Sequence, residues 1–332
     1  MGKLFVLSAM KRKVRNRMKN CLVSGHTGFI GSAIVARLKA DGEKVIGIER
    51  DQGVNKNLTA YPDIIVKGDV RNYDFMRRVI TDYEIEEVYH CAAQAIVRTC
   101  ASDPYTTYDI NIMGTVSLLE ACRNSCGTVK SIVISTSDKA FGHAPIPYTE
   151  ETPLNPLYTY ETSKACQQMI ALSYFHNYNV PAKVIACSNV YGPGDPNMSR
   201  IIPNTIERLA SGKSALLNDG VAEYVREFVF ITDVSDAFVR VARFGNNGEV
   251  YCCGGTEHLT MMDLMSDICE LMGKNPEKDI EMFQKSQYFK EIEKQWIDSS
   301  KLRSIGWDPH VNLEMGLKLS IDYYSRAIEE KK

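Results

Sequence analysis

Between Asn20 and Cys187, six short apolar runs alternate with longer segments of helical spacing. The runs are residues 20–24, 45–48, 64–66, 87–91, 131–135 and 184–187. Helical spacing covers 29–40, which ends at the stop signal Asp41-Gly42, then 73–83, about 107–124 and 160 to about 179. Short, continuous apolar runs suit strands buried on both faces, and strands that alternate with helices imply parallel pairing. The expected fold class is α/β, a doubly wound parallel sheet that binds its ligands at the strands' carboxyl ends. The rhythm breaks after Asn189, at Gly192-Pro193-Gly194-Asp195-Pro196. Residues 18–190 are therefore read as one domain. Residues 191–332 are read mostly as a smaller substrate lobe, with some segments returning to the sheet.

The net charge of −2 hides an asymmetry. Residues 1–17 carry six basic side chains and no acid, which leaves −8 on the rest. An acidic body argues against nucleic-acid binding. The basic stretch is expected to be a disordered arm, or translation from a start earlier than the natural one; a functional basic arm is the alternative. No apolar run approaches the roughly 18–20 residues that span a bilayer, and Val6 breaks the myristoylation pattern after Gly2. The ten cysteines form no C-x-x-C pair and have no histidine cluster nearby, so buried free thiols in a reducing cytoplasm are expected, with no metal.

Three motifs carry the chemistry. Gly25, Gly28 and Gly31 follow the first strand and open a helix. Without Cβ atoms the backbone there turns tightly and approaches a pyrophosphate, which the helix N-terminus also attracts. Glu49, ending the second strand, is placed to hold adenosine ribose hydroxyls, which favours NAD; Arg50 beside it would favour the phosphate of NADP. Asp69, after the third strand, is read either as an adenine contact or as a helix N-cap. Ser137-Asp138-Lys139 ends the fifth strand, and Tyr160 stands one helical turn before Lys164 on the same face. Tyr160 is suited to take a hydroxyl proton as hydride leaves the same carbon for a nicotinamide. Lys164 and the cationic ring would lower its pKa. Ser137, or alternatively Thr136, would hydrogen-bond that hydroxyl.

In combination these motifs resemble the extended short-chain dehydrogenase/reductase superfamily. The likeness also rests on Gly68-Asp69-Val70, His90-Cys91-Ala92-Ala93-Gln94, Asn111-Ile112-Met113-Gly114-Thr115 and Ser188-Asn189-Val190-Tyr191-Gly192-Pro193. Arg226-Glu227-Phe228 with Asp233-Val234, and Ile305-Gly306-Trp307-Asp308-Pro309, complete it over about residues 20–325. The resemblance implies a Rossmann domain, a tightly held nicotinamide and a nucleotide-sugar substrate. It places Thr27, Phe29, Ile30, Val70, Ala92, Ala93, Gln94, Asn111, Tyr160 and Lys164 on the cofactor, with Gln94, Arg98, Ser137, Asn189, Arg200 and Arg226 on the substrate. Arg226 would meet the pyrophosphate, which suits a planar, permanently charged fork.

Ser137-Asp138-Lys139 looks like the CDP-glucose 4,6-dehydratases; dTDP-glucose and GDP-mannose dehydratases carry a Glu where Lys139 stands. Ala93-Gln94, Ile96-Val97-Arg98 and Asp103-Pro104 also look like that subgroup. The implied reaction oxidises C4, removes water across C5–C6 and returns hydride to C6. Asp138 would protonate the leaving hydroxyl. Lys139 would act as the C5 base if neutral, or stabilise the enolate if charged. CDP-glucose is the subgroup's usual substrate, with GDP-mannose or another nucleotide sugar as alternatives. The competing functions are a 4-epimerase or 4-dehydrogenase, and from another class a non-catalytic dinucleotide sensor. The helices near 107–124 and 157–178 carry surplus apolar residues, and relatives of this fold pair them, so a homodimer is expected.

Overall fold

The computed structural model describes residues 17–50, 60–284 and 291–330, so most of the basic stretch lies outside the described residues. Thirteen strands are described in chain order. β1 to β6 span Asn20–Ser24, Lys44–Glu49, Ile64–Lys67, Glu87–His90, Ser131–Ser137 and Ala182–Cys187. β7 to β9 span Asn189–Tyr191, Ala215–Asn218 and Val225–Phe230. β10 to β13 span Val250–Cys253, His258–Thr260, Ile280–Phe283 and Lys294–Gln295.

Seven of them form one parallel sheet in the order β10-β6-β5-β4-β1-β2-β3. The expected doubly wound α/β fold is present. Because side chains alternate across a strand, Cys21 and Val23 pack on one face with Ile34, Leu38, Phe238 and Trp307. Leu22, Ile132 and Ile134 pack on the other with Met76, Leu118 and Ala171. The strand order reverses between β1 and β4, the place where such sheets leave a crevice.

A second core holds the smaller lobe, around Ile206, Leu209, Leu264, Ile268 and Leu317. Here β9 pairs with β7, β11 and β13. After building part of this lobe the chain returns, and β10 becomes an edge of the main sheet. The Trp307 indole N–H donates to the Asp233 carbonyl at 2.9 Å, and both Asp233 carboxylate oxygens accept backbone N–H groups, from His310 and Val311. The Gly306-Trp307 motif thus ties the late chain to the Ile231–Phe244 helix.

One expected helix is broken. The stretch read as 107–124 consists of Pro104–Tyr108, a π-turn at Asp109–Met113, and Gly114–Arg123. Such wide turns recur at functional sites, and this one carries Asn111. A short helix at Val97–Ser102 was not anticipated from the sequence. Among the described residues no helix is long and apolar enough to cross a membrane, and no acid, histidine and cysteine group could hold a metal. All ten cysteines are free; Cys126 is exposed rather than buried.

Candidate active site

A cleft of about 520 Å³ opens at the β1/β4 switch and is closed on its far side by the smaller lobe. Gly25, Gly28, Phe29, Ile30 and Gly31 line its floor. Gly25 has φ +71°, and a Cβ there would meet the Ala92 backbone at 2.7 Å. A Cβ on Gly31 would lie 2.1 Å from the Gly25 carbonyl oxygen. Gly28 caps the Phe29–Ala40 helix without a side-chain hydrogen bond, leaving first-turn N–H groups for an anion. This cradle fits a dinucleotide pyrophosphate.

Tyr160 and Lys164 project from the Thr159–Tyr178 helix, whose start is held by Glu161 accepting the N–H groups of Leu157 and Tyr158. Lys164 is buried and donates to the Ser135 carbonyl at 3.0 Å. Burial lowers its pKa to about 8. Burial pushes Tyr160 up to about 12, opposed by a hydrogen bond with Ser137 and by the Arg200 charge. Of the groups that favour the phenolate, Ser137 and Arg200 weigh most. Ser137 Oγ also donates to Asp138 Oδ1 at 2.9 Å, so Tyr160, Ser137 and Asp138 form a continuous chain. The Thr136 hydroxyl is engaged by the Ile185 carbonyl at 3.2 Å, which leaves Ser137 as the hydroxyl facing Tyr160.

Asp138 is buried, and its Oδ2 has no hydrogen-bond partner among the described residues. Burial raises its pKa to about 6, against the pull of the Lys139 ammonium, the Ser137 hydroxyl and Arg226. A carboxyl so placed holds a proton more readily than an ordinary aspartate. Lys139 lines the cleft and is partly exposed.

Ala93, Arg98, Asn189, Arg200 and Arg226 also line the cleft. Arg200 pairs with the buried Asp195 at 2.8 Å. Arg226 is buried, donates to the carbonyls of Val225 and Glu293, and pairs with Glu291 at 3.5 Å. Asn189 donates to the Glu227 carbonyl at 3.0 Å.

Thr27, Glu49, Arg50, Asp69, Val70, Ala92, Gln94 and Asn111 are not in the cleft lining. Asn111 is fully buried; it accepts the Gln94 N–H at 2.7 Å and donates to the Gln94 carbonyl and Ser163 Oγ. Its amide clamps the loop after β4 to the Tyr160 helix, so it shapes the cofactor wall from behind. Both Asp69 carboxylate oxygens are taken by the Arg71 guanidinium. The cap of the Tyr73–Asp82 helix is Asn72, not Asp69. Asp195, Glu291 and the buried Glu227 escaped the sequence reading. Asp195 had a local signal inside the Gly-Pro breaker, and Glu227 stood within the Arg226-Glu227-Phe228 motif without a role.

Residues 21–254 match the model of the NAD dependent epimerase/dehydratase family. The chain belongs to this NAD-dependent family. Its likeness to solved structures includes the dTDP-glucose 4,6-dehydratase of Bacillus anthracis in complex with NAD, at TM-score 0.83 and 31% identity, covering 94% of this chain and 98% of that one. It also includes the UDP-glucose 4-epimerase of Thermotoga maritima with UDP-glucose, at TM-score 0.86 and 28% identity, covering 93% and 99%. A trifunctional UDP-glucose 4,6-dehydratase, 3,5-epimerase and reductase of Arabidopsis thaliana, RHM2, is 30% identical over 323 residues, covering 94% of this chain and 48% of that protein. The chain thus spans about half the length of that plant relative. These relatives are sugar-nucleotide dehydratases and epimerases in kind.

Proposed function

We propose that the protein is a nucleotide-diphosphate-sugar 4,6-dehydratase, and the observation that carries this is Asp138. A 4-epimerase needs Tyr160 but no second acid. Here a buried carboxyl with one unpartnered oxygen and a pKa raised to about 6 is linked through Ser137 to Tyr160. Bound NAD supplies a hydride acceptor that later becomes a hydride donor.

Tyr160 takes the proton of the C4 hydroxyl as C4 becomes a ketone, while Ser137 holds the same oxygen. The ketone acidifies the C5 proton. Loss of that proton and of the C6 hydroxyl, protonated by Asp138, releases one water. The C5 proton passes to Lys139, whose ammonium form then stabilises the enolate charge. Hydride from the reduced cofactor would go to C6 and the proton held by Lys139 to C5, while the proton gained by Tyr160 passes through Ser137 to Asp138 and restores both residues. The net change in the sugar is the loss of one water. Arg226 and Arg200 hold the diphosphate. Glu291 and Asp195, now paired with them, offset their charge before substrate arrives.

The test is a panel of CDP-glucose, GDP-mannose, dTDP-glucose and UDP-glucose, incubated with the purified protein and read by mass spectrometry. A product lighter by one water, formed without added reductant, is the expected result. An isobaric product would mean epimerisation and would demote Asp138.

We also infer that two chains associate through the Gly114–Arg123 and Thr159–Tyr178 helices. Met113 beside the first and Met169 on the second are 48% and 60% exposed, and two such helix faces can cover each other across a two-fold axis. Light scattering at micromolar concentration is expected to give twice the chain mass; a single-chain mass would overturn the inference.

A further inference from the structure

Arg200 lines the cleft from the N-terminus of the Ile201–Ala210 helix, at the end of the turn that follows β7. Among the described residues its guanidinium bonds through Nη1 alone, to Asp195 Oδ2 at 2.8 Å. The arginine side chain is 38% exposed and the aspartate side chain 3%. A long, half-open side chain samples several rotamers unless a partner fixes it. Asp195 is itself fixed. Its Oδ1 accepts the Asn197 N–H at 2.9 Å. Its own N–H donates to the Tyr324 hydroxyl at 3.1 Å, across 129 residues of chain. That hydroxyl has one proton to give, and the Gly192 carbonyl at 3.0 Å is a better acceptor than the Asp195 carbonyl at 3.4 Å. Tyr324 thus bridges the two ends of the Gly192–Asp195 stretch. It is 5% exposed, and burial raises its pKa, so the phenol keeps its proton. The helix that carries it, Leu313–Glu329, is closely fitted to the same stretch. Tyr191 Oη donates to the Leu313 carbonyl at 3.3 Å, and a Cβ on Gly316 would lie 2.1 Å from that Oη.

We propose that Tyr324 and Asp195 act in series as positioning residues for Arg200. The last helix sets the turn, the turn sets the carboxylate, and the carboxylate sets the guanidinium. This rests on the reading that Arg200 holds the substrate diphosphate, and not on which reaction follows. Asp195 takes one corner of the guanidinium and leaves Nε and Nη2, an edge that suits two phosphate oxygens at once. An acid here lowers the net positive charge that a diphosphate meets. The gain is aim: a fork already held in place loses less rotamer freedom when the ligand arrives. Tyr324 lies outside the cleft lining, so any effect of its hydroxyl on a bound diphosphate travels through the turn.

The experiment measures binding of CDP, GDP, dTDP and UDP to the full-length, NAD-loaded protein by calorimetry. The variants are Tyr324→Phe, Asp195→Asn, Arg200→Gln and the two doubles that combine Arg200→Gln with each of the others. Tyr324→Phe removes one hydroxyl and keeps the ring; it is expected to weaken the preferred diphosphate about threefold to tenfold. Asp195→Asn is expected to weaken it at least about tenfold. On the Arg200→Gln background each should cost less than about twofold more, because no guanidinium is left to aim. If Asp195→Asn does not fold, Tyr324→Phe and its double carry the cycle. With the sugar nucleotide that the panel identifies, the single variants should raise KM by similar factors and leave kcat within about twofold. Full additivity on the Arg200→Gln background would overturn the proposal, since the pair would then hold the lobe without aiming the arginine. So would unchanged affinity in both single variants while Arg200→Gln weakens binding. If wild type binds no nucleoside diphosphate, or Arg200→Gln leaves affinity unchanged, the diphosphate role of Arg200 falls and the proposal falls with it. An isobaric product in the sugar panel would overturn the dehydratase reading and leave the cycle's result standing, because no reaction is read in it.

Discussion

Replacing Tyr160 with phenylalanine is expected to lower kcat by about a thousandfold, roughly 4 kcal/mol of transition-state stabilisation. The loss should fall on kcat rather than KM. In the proposed mechanism the phenol touches the reacting hydroxyl, whereas Arg200 and Arg226 hold the diphosphate. The ring keeps its packing, so folding should survive, as a thermal melt would verify. The pH profile gives a second reading. Tyr160 stands at about 12 in the free protein because burial outweighs Ser137 and Arg200. An added cationic ring would favour the phenolate and pull the value down, so cofactor-loaded wild type should gain activity with rising pH on a limb that the Phe variant lacks. Turnover within threefold of wild type would remove Tyr160 from the chemistry.

The second large effect separates water loss from oxidation. Asp138→Asn keeps size and the hydrogen bond to Ser137 but cannot protonate a leaving hydroxyl. Overall dehydration should fall by about 10²–10³-fold, while C4 oxidation continues because Tyr160 is intact. Absorbance of the reduced nicotinamide should therefore build up on the variant and not on wild type. The wild-type water-loss step should weaken as pH rises through about 6, since each further unit leaves about tenfold less of the acid form. Asn should show no such dependence. If the variant loses water at the wild-type rate, Asp138 is a buried structural carboxyl and a 4-epimerase becomes the better reading.

The main sheet was legible because both its faces are covered. Strands such as Val250–Cys253 are buried at every position and read as unbroken apolar runs. The Tyr160 and Lys164 pair was legible because one helical turn is a local relation. What stayed hidden is non-local. Glu291 meets Arg226 only because β13 lies beside β9, about 65 residues apart in the chain. Strands of two to four residues, such as β11 and β13, carry too few positions to show a period. Asn111 shows a different limit. Its motif marks the place but not the direction, and the π-turn decides that its amide faces the loop backbone. Asp69 shows a partner the sequence did not reveal: its carboxylate accepts the backbone N–H of Arg71 and also pairs with the Arg71 guanidinium.

The path of the chain through its largest sheet also sets an order of events during synthesis. β6 ends at Cys187, yet its outer neighbour, β10, is not made until Cys253. For more than sixty residues of elongation, β6 presents an open edge, the kind of surface that recruits stray strands. The segment made in that interval includes β7, β9 and the Ile231–Phe244 helix, whose Phe238 and Val241 cover the same face of the nascent sheet. That helix covers a face of the sheet, and the edge itself is sealed only when the chain comes back as β10.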